Sequence, residues 1–365
     1  MNFMVKLKSK ISTIQQLLIR PLCIGLLAGM PLLSPATTVS SDVVGYVKTT
    51  VKSHSDLHIA VPFIREISLN SKISQIQDGV IHSSSSVGNI EAGKYFIHLT
   101  TGALAGQWFT IIDSTANSIV VYEDIETMGA LAEDEFSILP FWTLDTLFPD
   151  GGNIPKSPNV FLPTSQLLTY NVNADGINIS PSNAYIYHSG EQGPSGWYDM
   201  NNLSGLKGDT ILHPGSYITI RNTEDYDINI TLAGVVQTNA FANLVKSSSS
   251  STQDNLIPYP YPSAITLSES KLIENEIIRA SPNVFLPIDQ LLIHNLSNTG
   301  HNHAPSTAMI YHDGSQGLEG WYDINNLGGG PINNYVIEPL STLIIRRQTG
   351  DDELLVWKPT PPYIN

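Results

Sequence analysis

The chain has 365 residues, room for two or three domains, with 27 Gly and 23 Pro but only 14 % charged residues. Low charge with many turn-formers points to an all-β protein. The formal net charge of −15 excludes a nucleic-acid partner, because an acidic surface repels phosphate.

Residues 1–41 differ from the rest. Lys6, Lys8, Lys10 and Arg20 form a basic start, Pro21–Leu33 is a short apolar run, and SPATTVS supplies small residues. That order predicts an export signal peptide cleaved between Ala36 and Asp42. The apolar run is too short for a membrane span, which needs roughly twenty residues. Cys23, the only cysteine, is expected to leave with the leader, which removes thiol nucleophiles and thiolate metal sites. Four of the 18 basic residues and none of the 33 acidic ones lie in the first forty, so the remainder has 14 basic against 33 acidic residues, a net −19. The expected location is extracellular, cell-surface or periplasmic, with extracellular polysaccharide or cell-surface components as partners and no integral membrane segment.

Residues 42–75 read as the first strands of a first module. An inserted small β-barrel-like domain follows over 76–150, carried by KYFIHLTTG, GQWFTIID, SIVVYED and DEFSILPFW. Module 1 resumes over 151–235, a serine-rich linker covers 236–253, and a second module covers 254–365. The modules are read from a repeat. Sliding the chain by 124 positions aligns Ser157–Leu203 with Ser281–Leu327 without a gap, and 29 of 47 positions are identical. A repeat of this size means one fold unit used twice. Its apolar runs, punctuated by Gly, Pro, Asn and Ser every eight to twelve residues, predict a β-sandwich-like unit. SPNVFLP, present at 157–163 and 281–287, is expected to open a strand with Val160 and Leu162 on one face. An upstream match of VPFIREISL (61–69) to YPYPSAITL (259–267) places the insertion in copy one.

Several stretches together resemble an uncharacterised family of secreted, β-rich bacterial proteins found in verrucomicrobia and their relatives. They are VVGYV (43–47), YFIHLTTGALAGQWFTI (95–111), PFWTLDTLFP (140–149) and LHPGSYITIRN (212–222), with the SPN starts and the tyrosine-rich strand leading to Gly-Trp. The resemblance covers nearly the whole chain after residue 41. It implies a secreted protein, often present in several versions per genome, and supplies no catalytic residue. This chain departs from it where Gly-Trp is followed by Tyr-Asp-x-Asn-Asn instead of a basic residue.

Two blocks are candidates for a site. Trp197, Tyr198 and Asp199 recur as Trp321, Tyr322 and Asp323. Exposed, they would form a glycan platform, with rings stacking on sugars and carboxylates bonding hydroxyls; buried, they would be core tryptophans followed by an Asx-turn. The same Asp-x-Asn-Asn does not continue as a Ca²⁺ loop, because the fifth position is Leu203 or Leu327. The second block is His301-Asn302-His303 with nearby His294, a candidate metal cluster that lacks a third fixed ligand. Copy one has Ile177-Asn178-Ile179 and Tyr170 at those positions. His188 and His312 recur at strand ends and read as polar caps. No nucleophile elbow, H-E-x-x-H or phosphate loop is present. The leading expectation is a non-enzymatic structural or surface-associated protein. The second is a glycan binder with two equivalent sites, and the third a polysaccharide hydrolase using paired carboxylates.

Overall fold

The computed structural model describes residues 42–364; the expected leader lies outside them. The protein is all-β, 39 % strand and 4 % helix, with several antiparallel sheets and a closed six-stranded barrel. Among the described residues, no helix is long and apolar enough to cross a membrane.

In module 1 a five-stranded antiparallel sheet runs in the order Gly196–Asp199, Asn183–His188, Ser165–Thr169, Tyr217–Asn222, Ser55–Ala60. A three-stranded sheet is built from Val44–Val51, Ile228–Val236 and Phe63–Ile64. Ile228–Val236 alternates buried and exposed residues along most of its length, as a strand with one wet face must. Both sheets line one core, with Val51, Ile230 and Leu232 from the smaller and Ile59, Leu167, Trp197 and Ile220 from the larger. Module 2 repeats the arrangement. Its five strands run Gln253–Pro258, Thr342–Arg347, Asp289–Ile293, Thr307–His312, Gly320–Asp323, and Asn243–Lys246 pairs with Leu354–Trp357. The registers coincide: Arg221 faces Asp56 in one sheet and Arg346 faces Asp254 in the other.

The barrel joins Leu69–Gln77, Val80–Ser83, Ser118–Val121, Trp108–Ser114, Tyr95–Leu99 and Glu135–Pro140 around Ile73, Ile81, Ile97, Ile111 and Phe136. The four expected strand runs are all in it. The first two strands were not legible as barrel because only Leu69, Ile73, Ile76, Val80 and Ile81 break a polar run. The insert therefore begins at Leu69 rather than at 76. Trp142–Thr143 pairs with Ile211–Leu212 and belongs to module 1 again.

Two further expectations are corrected. The serines 247–251 are a turn inside module 2, not a linker. Ser247 N–H donates to the Glu353 carbonyl at 2.9 Å, and the Ser249 amide and hydroxyl both bond Asp352 at 2.7 Å. Module 2 thus opens at Asn243. SPNVFLP is a turn, not a strand. The Asn159 side chain accepts from Phe161 N–H at 2.9 Å and Asn283 from Phe285 N–H at 2.8 Å, closing an Asx-turn. Phe161 and Phe285 are left 73 % and 74 % exposed.

Candidate metal centre at the module junction

The repeated Gly-Trp-Tyr-Asp block is core and turn. Trp197 is 0 % exposed and Trp321 2 %, each meeting a tyrosine edge-to-face at 5.5 Å (Tyr187 and Tyr311). The hydroxyls of Tyr198 and Tyr322 donate to the carbonyls of Pro194 and Leu318. Asp199 and Asp323 accept from the amides of Asn201 and Asn325 at 2.8 and 2.9 Å. The aromatic faces that a sugar would need are covered, so these six residues do not form a stacking platform. His188 is a buried cap: its Nδ1 accepts from Gly190 N–H at 3.2 Å and its Nε2 donates to the Pro158 carbonyl at 3.2 Å. His312 Nδ1 accepts from Gly314 N–H in the same way.

The repeat is used instead to join the modules. Asp56, buried on its strand, takes a bidentate pair from Arg221, Nε to Oδ1 and Nη2 to Oδ2, both 2.8 Å. The loop that follows strand Asp289–Ile293 crosses over from module 2. Asn302 N–H donates to Asp56 Oδ2 at 2.8 Å, Arg221 Nη2 donates to Asn302 Oδ1 at 2.6 Å, and Asp56 N–H donates to the Gly300 carbonyl at 3.1 Å. Module 1 returns the same contacts. Arg346 holds Asp254 at 2.7 and 2.9 Å, Asn178 N–H donates to Asp254 Oδ2 at 2.7 Å, and Asp254 N–H donates to the Gly176 carbonyl at 2.9 Å. Gly176 and Gly300 sit at φ +94° and +92° and Asn178 and Asn302 at φ 56° and 53°, conformations that Gly and Asn adopt most cheaply. Each module thus gives the other what it receives, the pattern of an isologous interface. Burial pushes the Asp56 carboxyl up, but Arg221 and the Asn302 amide outweigh it and hold it below the usual carboxylate range.

Beside this clasp three imidazoles converge. His58 comes from strand Ser55–Ala60 of module 1, His294 and His303 from module 2, and one ring nitrogen of each lies within 4.8 Å of the other two. Ring centroids are 4.0 Å apart for His58–His294, 5.1 Å for His58–His303 and 5.4 Å for His294–His303. His58 and His294 are buried and His303 is half-buried. Nδ1 of His58 bonds the Thr219 hydroxyl at 2.7 Å, which in turn meets the Tyr170 hydroxyl at 2.9 Å. Nε2 of His303 donates to the Asp56 carbonyl at 3.0 Å. Nε2 of His58 and Nδ1 of His294 are buried with no partner. Burial above all, and then the neighbouring His303, pushes His58 down to about 4. Burial, then His58 and His303, takes His294 to about 3. Both rings are neutral near pH 7 and offer lone pairs.

The expected metal pair is therefore half corrected. His303 and His294 meet, while His301 turns away and bonds the Asn222 carbonyl through Nε2 at 2.9 Å. His301 and His303 are separated by a single residue, Asn302, whose clasp geometry sends the two rings in different directions. The missing third nitrogen is His58, 236 positions before His294 in the sequence. The signal that points to it is the repeat itself: at an offset of 198, His58 aligns with Leu256.

A groove where the barrel meets module 1 is lined by Phe63, Arg65, Phe96, Trp142, His213 and Phe241. Two of its donors are engaged, Arg65 with the Phe141 carbonyl at 3.1 Å and Trp142 Nε1 with the Phe63 carbonyl at 2.9 Å. A scan against protein-family models, curated proteins and solved structures finds no match to this chain.

Proposed function

We propose that the chain is a non-enzymatic, exported structural protein of the cell exterior, built from two β-sandwich-like modules held as one rigid body. The observation that carries this reading is the reciprocal Asp–Arg–Asn clasp. The duplicated residues are spent on cores, turns and the joint between copies rather than on two open sites. The basic and apolar start of the chain and the resemblance to secreted bacterial proteins support export. Cell-surface components are the partner class that fits a rigid acidic body with no open glycan platform at its repeated tryptophans.

Expression of the full chain in a bacterial host followed by fractionation tests this. The expected product is a shortened chain outside the cytoplasm, its mass lowered by removal of a leader ending between Ala36 and Asp42, and not retained on insoluble polysaccharides. An uncleaved cytoplasmic protein would sink the export reading. Retention on a polysaccharide, or release of reducing sugar from one, would sink the non-enzymatic, non-lectin reading.

A further inference from the structure

The two halves of the junction are related by the repeat, so each position of the histidine cluster has a counterpart across the joint. His58 corresponds to Leu256, His294 to Tyr170, His303 to Ile179, and Thr219 to Ile344. Those four counterparts lie in one compact cluster, with Leu256 and Ile344 buried, Tyr170 and Ile179 packed against them, and Tyr217, which also stacks on the His58 ring, at its border with the imidazoles. One half of the joint is therefore closed by hydrocarbon and an aromatic ring. The clasp forms equally well on that side, so the fold does not need imidazoles at these positions.

On the other side three imidazoles from two modules replace the apolar set, and the residue behind His58 becomes a hydroxyl. A purely structural substitution of this kind is costly. Two buried ring nitrogens are left without partners, each losing its hydrogen bonds to water with nothing in return. One acceptor placed between the rings and electron-poor enough to take both lone pairs would satisfy them together. A proton shared in a hydrogen bond serves two nitrogens at most; a metal cation serves all three.

We infer that His58, His294 and His303 bind one divalent d-block cation of the zinc class, bridging module 1 to module 2. Three imidazoles with no thiolate suit Zn²⁺ and its neighbours and not the oxygen-seeking Ca²⁺ or Mg²⁺. Bonds of about 2.0–2.1 Å in a tetrahedron set the nitrogens roughly 3.3 Å apart. The three nitrogens, all within 4.8 Å of one another, reach that spacing chiefly by movement of the half-buried His303 on its loop. Nδ1 of His58 meets the Thr219 hydroxyl at 2.7 Å and the Tyr217 hydroxyl at 3.2 Å; in the tautomer that donates Nδ1–H to Thr219, Nε2 is left free for a metal, the usual arrangement behind a metal-bound histidine. His303 has to trade a weaker contact, that of Asn298 Nδ2 with its Nδ1 at 3.3 Å, or its bond to the Asp56 carbonyl. The fourth position is left to water. This inference concerns the joint alone; a chain that takes up zinc but stays in the cytoplasm would sink the export reading and leave this one standing.

The test uses the full chain without an affinity histidine tag, stripped with a chelator and titrated with Zn²⁺ and, in parallel, Co²⁺. One ion per chain is expected, with visible Co²⁺ bands of a four-coordinate nitrogen site. With Zn²⁺ about a hundredfold above Kd, the melting temperature rises by roughly 5 °C. Combining His58→Leu, His294→Tyr and His303→Ile installs the residues that the opposite half already packs. That variant is expected to fold and to lose both the ion and the thermal shift, while His301→Gln retains them. Should the triple variant fail to fold, His303→Ala on the loop serves the same purpose, with circular dichroism as the check on folding. No uptake by the unaltered chain up to roughly 1 mM Zn²⁺, or uptake that persists in the folded triple or His303→Ala variant, overturns the inference.

Discussion

At the scale of single residues, burial decides which histidines carry charge. His98 lies in barrel strand Tyr95–Leu99, 2 % exposed, against the Phe241 ring and with Nε2 donating to the Ala240 carbonyl at 3.2 Å. Burial pushes it down to about 4, although the carbonyl bond pulls the other way. A pKa lower in the folded than in the unfolded chain means that the unfolded chain binds the extra proton. The stability linked to His98 is thus complete above about pH 6.5 and is lost as the pH falls toward 4, by about 2.5 kcal/mol at pH 4.5. His58 and His294 act in the same direction, so the His98 share is read by difference. Denaturant midpoints at pH 7 and 4.5 should diverge less in His98→Gln than in the unaltered chain, and an equal divergence would exclude His98 as a source. The residue scale also shows where the sequence was ambiguous. Trp197 reads as core with a platform as the alternative, because the strand places it on one face without saying whether that face is covered. Its two burying neighbours, Tyr187 and Phe148, come from other elements.

At the scale of elements, the crossover loops hold the modules together. Asp56 is 3 % exposed and serves Arg221 and the Asn302 amide at once. Asp56→Asn keeps the shape but leaves a largely buried guanidinium without its counter-charge, and should cost about 3 kcal/mol. Asp254→Asn should cost a similar amount, because Arg346 and Asn178 repeat the arrangement. Urea unfolding of the two single variants measures this, and a loss below about 0.5 kcal/mol in either would mean that the clasp is ornamental at that end. The loops themselves were visible in the sequence as polar stretches between strands. Their destination was not, since nothing within ten residues of Asn302 names Asp56. The turns were misread for a related reason. The serines 247–251 have the composition of several local structures, and the partner that selects one, Asp352, lies far along the chain; Asn159 closes its turn on Phe161 N–H two residues on, within a stretch whose apolar residues also read as a strand.

At the scale of the whole molecule, two modules clasped at reciprocal points should melt together. Calorimetry of the unaltered chain is expected to show the modules in a single transition. The combined Asp56→Asn and Asp254→Asn variant should split it into two, because each module has its own buried core. A single transition that survives the double substitution would locate the coupling elsewhere in the joint.

The sequence by itself determined the all-β class, the duplicated unit and most of the barrel, because strand periodicity, turn chemistry and self-similarity are local or repetitive properties. It also contained two of the three clustered histidines within ten residues of one another. Only the tertiary structure decided that the repeated tryptophans are core, that the serines close a turn and that module 1 supplies the third imidazole. Those outcomes depend on contacts between residues up to 247 positions apart, and on which of two equivalent faces a neighbouring module covers.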